Sequence, residues 1–150
     1  MASLYKRIFA AIDGSSTEDA VIERALELAA QNGAELVLGH VVDALPSDVH
    51  SANCRMLAEE EERILRERLA PVFERAGADP RIPAVDFRLR VGRVGETLVE
   101  DLIEPCSPDL VVCGERGYSD FKYAFVGSVS KRLVRDVKCD VLVVKAEGSR

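Results

Sequence analysis

Much of what this chain could be is excluded by what it lacks. None of its four cysteines, Cys54, Cys106, Cys113 and Cys139, has another at the spacing of a metal knuckle or a redox Cys-x-x-Cys pair. There is no excess of basic charge. Twenty Lys and Arg stand against 26 Asp and Glu, a formal net charge of −6. That balance disfavours non-specific binding to nucleic acid or to an anionic membrane surface. No apolar run approaches membrane-spanning length, and Met1 to Arg7 holds no stretch long enough for a signal peptide. A cytoplasmic protein with reduced thiols is therefore expected. No Gly-Lys-Ser/Thr occurs anywhere and no G-x-G-x-x-G follows the first apolar run, which excludes a Walker A loop and a dinucleotide fingerprint. No internal repeat, low-complexity tract or linker interrupts the chain.

What is present is one domain's worth of alternating elements. The 150 residues suit a single compact unit, and the 47% apolar share is enough to fill a core without a staple. Apolar runs of β type alternate with helical patterns throughout, which argues for a parallel sheet. Ile8 to Ile12 is the first strand, ending at Asp13-Gly14. Ser15-Ser16-Thr17-Glu18 reads as a capping box for a helix carrying Val21, Ala25, Leu28 and Ala29, with Gly33 as its stop. Glu35 to Val42 is the second strand, and Leu45 to Ser51 a mobile connection. The spacing predicts a long helix from Asn53 to Ala76 with Leu57, Ile64, Leu65 and Val72 on one face, kinked or split at Pro71. Within it the acidic run Glu59 to Glu62 reads as a solvated face.

The third strand, Ala84 to Val91, alternates apolar and charged residues and suits an edge with one wet face. A helix with Val94, Leu98 and Leu102 follows, then strand four, Leu110 to Cys113. The last helix begins near Gly127, and Val141 to Val144 is the fifth strand. The predicted class is α/β: one doubly wound domain over residues 1–150, a five-stranded parallel sheet of order 3-2-1-4-5 with helices on both faces. Cys113 and Cys139 border apolar runs and read as buried small hydrophobes, whereas Cys54 and Cys106 look peripheral. Strand five becomes an edge that is continuously apolar, so a homodimer through Val141, Leu142, Val143 and Val144 is expected.

The segment with chemistry is Gly114-Glu115-Arg116-Gly117, nine residues, then Gly127-Ser128-Val129-Ser130. It lies between a buried strand and a helix start, where an α/β sheet binds phosphates. Gly114 and Gly117 permit a sharp turn with no Cβ in the way. The start of the last helix offers amides, and Ser128 and Ser130 add hydroxyls. By itself a glycine-rich stretch there reads equally as a loop that merely turns.

Gly114-x-x-Gly117, nine residues, Gly127-Ser128 matches in every position the nucleotide-binding signature of ATP-binding universal stress proteins, and the chain resembles that family over residues 4–145. Asp13-Gly14-Ser15, His40-Val41-Val42-Asp43 and Cys139-x-Val-Leu-Val-Val agree with it. Asp140, where many members carry proline, departs from it. The resemblance implies a cytoplasmic dimer that binds ATP, with magnesium bridging the phosphates. It implies Asp13 beside ribose and adenine, Ala11 and Ile12 shaping the pocket, and Val41 against adenine. Cys113, Gly114, Arg116 and Gly117 would line the ribose and phosphate side, and Gly127, Ser128, Val129 and Ser130 would hold the triphosphate. From the residues alone, Asp13 reads equally as a turn carboxylate capping the next helix, Val41 as core, and Arg116 as surface charge. His40 reads as a packed strand histidine and His50 as solvated.

Three other functions compete with a nucleotide-responsive binding module. An enzyme, a slow ATPase or nucleotide transferase, needs a positioned base. Only Asp13, Glu115 and the serines are candidates, and the Ser-Gly-Gly and His-x-Gly-His loops of related nucleotide enzymes are absent. A phosphorylatable receiver needs an Asp ending strand three, where Arg90-Val91-Gly92 stands. The last is a nucleotide-independent interaction protein, and the intact glycine signature speaks against it.

Overall fold

The central strands carry apolar residues on both faces, and their alternation builds two cores. A computed structural model describes residues 3–115 and 128–145. Its five parallel strands are β1 (Arg7–Ala11), β2 (Glu35–Asp43), β3 (Val85–Gly92), β4 (Leu110–Gly114) and β5 (Asp140–Val144), in the order β3-β2-β1-β4-β5. This is the order expected from the sequence. Because successive strand side chains point to opposite faces, Ile8, Ala10, Leu36 and Leu38 fill one core and Phe9, Val37, Val41 and Val111 fill the other. Each such large side chain taken out of water contributes roughly 1.5–3 kcal/mol.

Helices α1 (Glu18–Asn32), α2 (Ala52–Arg68) and α3 (Ala70–Ala78) cover the first face through Val21, Leu26, Leu65 and Ala76. Helix α4 and helix α5 (Ser128–Asp136) cover the second through Leu98, Leu102 and Leu133. α4 starts as an α-helical turn, Val94–Thr97, continues as a π-helical stretch, Leu98–Ile103, and ends at Glu104–Cys106. Pro105 lacks the N–H that would continue the i→i−4 ladder there, and the bonding pattern loosens just before it. Phe9 occupies the centre of its core so fully that a Cβ on Gly39, its diagonal neighbour on β2, would collide with the ring. Only glycine fits.

Several expectations need correction. The capping box does not form. Thr17 is the N-cap and makes no side-chain cap bond, while Glu18 Oε1 accepts the Gly14 N–H at 3.0 Å and Ser15 Oγ accepts from Thr17 N at 3.3 Å. The long helix does split, as Pro71 led the sequence reading to expect: it divides at Leu69, with Pro71 in the first turn of α3. On α2 the inward stripe is Cys54 and Leu65, so Leu57 and Ile64 point outward, 67% and 45% exposed. Cys54 and Cys106 are buried and Cys139 is only partly so; all four thiols are free. No helix among the described residues is long and apolar enough to cross a membrane.

Candidate functional site

Chain winding reverses between β1 and β4. α1 leaves β1 towards one face, and the connection from β4 leads to α5 on the other, which opens a crevice at the strands' carboxyl ends. The crevice here is a cleft of about 570 Å³, within the range of small-molecule sites. Ala11, Ile12 and Asp13 line it from the end of β1, and Val41 from β2. Cys113 and Gly114 line it from the end of β4, and Ser128, Val129 and Ser130 from the start of α5. The structure thus brings together nine residues named from the sequence. Arg116, Gly117 and Gly127 lie outside the described residues.

The first turn of α5 opens on the cleft. Helix-start amides lack intrahelical acceptors, and the dipole there favours negative charge. Ser130 is buried, and its hydroxyl donates to the Gly114 carbonyl at 2.6 Å, fixing the helix start against the end of β4. The lining also holds carboxylates. Asp13 Oδ1 accepts the Ser15 N–H at 2.9 Å, which makes Asp13 a turn-forming residue, and Gly14 at φ 74° takes the left-handed conformation that turn requires. Asp43 and Glu61 line the cleft as well. No Lys or Arg is among the described lining residues.

This polarity has a chemical meaning. The helix start can receive an anion on backbone amides and the Ser128 hydroxyl, and the carboxylates can accept hydrogen bonds from hydroxyl or amino groups. Burial pushes the Cys113 thiol up to about 11, the Ser130 hydroxyl acts against the shift and the Asp13 charge adds to it. At neutral pH Cys113 is therefore a protonated wall of the cleft and no thiolate nucleophile. Among the described residues no group of three His, Cys, Asp or Glu side chains could hold a metal ion.

His40 is a packed strand histidine, as the sequence suggested, and Glu61 was given no place in the site. His40 is buried, and its Nδ1–H donates to the Ile12 carbonyl at 2.6 Å, while Nε2 stands 3.7 Å from Glu61 Oε1. His40 lies beside Val41, which gave a hint of its place. Glu61 carried no signal, because the run Glu59 to Glu62 does not say which carboxylate turns inward.

A protein-family model described as the universal stress protein family matches residues 4–145. The chain belongs to the universal stress protein family. A Staphylococcus haemolyticus member is 29% identical over 143 residues, covering 95% of this chain and 86% of its own. Universal stress protein UspA from Lactobacillus plantarum superposes with a TM-score of 0.73 at 25% identity, covering 93% of this chain and 97% of that one. A universal stress protein solved in complex with cAMP gives a TM-score of 0.61 at 26% identity, covering 95% and 98%.

Proposed function

We propose that this universal stress protein binds an adenine nucleotide, ATP carrying magnesium on its phosphates, and acts as a dimeric nucleotide-responsive switch in the stress response. The observation that carries this reading is the meeting, in one cleft, of the first turn of α5 with the Asp13 turn. Ser128, Val129 and Ser130 would hold the triphosphate on their amides and on the Ser128 hydroxyl, the Ser130 hydroxyl being committed to the Gly114 carbonyl. Asp13 would accept hydrogen bonds from the ribose hydroxyls, as acidic residues do in other doubly wound nucleotide folds. Val41 would pack on the adenine, with Ala11, Ile12 and Cys113 as the remaining wall. Arg116, Gly117 and Gly127 enter the site on the sequence motif alone. The relative crystallised with cAMP supports an adenine nucleotide as the class of ligand. Magnesium belongs to the nucleotide in this reading, held through its phosphates.

The test is calorimetry of the purified protein with ATP and magnesium, together with extraction of any copurified nucleotide after denaturation. Micromolar binding or a stoichiometric adenine nucleotide is expected. Gly127→Glu should weaken binding by at least about 100-fold, since a carboxylate would face the triphosphate, and leave the circular dichroism spectrum unchanged. A wild-type protein that binds no nucleotide and carries none overturns the reading.

A further inference from the structure

Asp13 sits between two peptide groups that side chains hold in place. On one side, the Ile12 carbonyl accepts the His40 Nδ1–H at 2.6 Å, and the other nitrogen of that ring faces Glu61 Oε1 at 3.7 Å. On the other side, the Gly14 N–H donates to Glu18 Oε1 at 3.0 Å, and the same oxygen accepts from Arg68 Nη2 at 2.9 Å. Both chains end on α2. Glu61 and Arg68 are two helical turns apart, so they leave the same side of that helix, with buried Leu65 between them. His40 and Glu18 are themselves buried, at 3% and 6% exposure. Buried polar groups of this kind lose heavily when a partner is removed.

From this convergence we propose that α2 sets the geometry of the Asp13 turn, and that Glu61, His40, Arg68 and Glu18 are positioning residues for the hydroxyl-bearing sugar end of the ligand. The ligand in this statement rests on the nucleotide reading above; the geometry does not. The turn takes Gly14 in the left-handed conformation, at φ 74°. The two polar chains hold it from both sides, and Leu65 presses the helix that carries them onto the sheet. A shift of α2 is transmitted to the carboxylate that would meet the sugar.

The experiment compares ATP with 2′,3′-dideoxy-ATP, which differ only in the hydroxyls a carboxylate can accept. In the wild type the affinity ratio should be about tenfold or more, the size of a charge-assisted hydrogen bond. Arg68→Met and Glu61→Gln should bring the ratio towards one, and Arg68→Lys should retain most of it. Glu61→Gln is the second variant should Arg68→Met fail to fold. In the ligand-free protein, exchange of the Gly14 amide should speed up by about tenfold in Arg68→Met and much less in Arg68→Lys. A wild-type ratio in folded Arg68→Met and Glu61→Gln overturns the inference. If the wild type binds neither nucleotide, the nucleotide reading falls, and Gly14 exchange alone decides: an unchanged rate in folded Arg68→Met removes the positioning role as well.

Discussion

Cys113 shows how one side chain records its surroundings. Its thiol lies at the end of β4, under the start of α5, and burial raises it from the ordinary 9.0 to about 11. Below about pH 9 the folded and unfolded chains both keep this proton, and the stabilising contribution is complete. As pH rises further the unfolded chain releases it first, so stability falls until the folded thiol titrates as well. Urea unfolding at about pH 8 and about pH 10.5 should show a loss of roughly 2 kcal/mol from this group. Cys113→Ala should have a shallower pH slope, though not a flat one, because burial also raises Cys106 and Cys139. At this scale the family resemblance, more than the residues alone, named Ala11, Ile12, Asp13, Val41 and Cys113, and with Gly114 they line the cleft at the carboxyl side of the sheet. His40 and Glu61 were not readable as a pair, since their meeting depends on how α2 lies across β2.

The element whose pattern misled most is α2. Leu57 and Ile64, spaced like core residues, face outward, whereas Leu65 is 3% exposed. Leu57→Ala and Ile64→Ala should each change stability by no more than about 0.5 kcal/mol, and Leu65→Ala should cost about 2–5 kcal/mol, measured by chemical denaturation. Equal costs at Leu57 and Leu65 would contradict this packing. Heptad spacing specifies that two residues share a side of a helix, but not which side the sheet will take. The break at Leu69 was legible, because proline is tolerated in a first turn and nowhere deeper. The strands were legible nearly to the residue, since apolar runs bounded by polar turns leave little choice of register.

For the molecule as a whole, β5 is one of the two edge strands of the sheet. It pairs only with β4 among the described strands, and Val141, Leu142 and Val143 are half-buried. An apolar edge of this kind invites a second chain. Sedimentation at micromolar concentration should find a dimer, and Val143→Lys should find a monomer; a monomeric wild type would remove the proposed interface. The strand order also bears on how the chain is made. β1, at the centre, pairs with β2 on one side, Ile8 beside Leu36, and with β4 on the other, Ile8 beside Leu110. During synthesis the first half of the sheet can assemble early, but β1 keeps one flank open until β4 arrives. Such distant pairing raises contact order and slows folding. A nascent chain stalled before Leu110 would leave the Ile8 to Ala10 flank of β1 unpaired, and an open strand flank of this kind is a template for pairing with other chains.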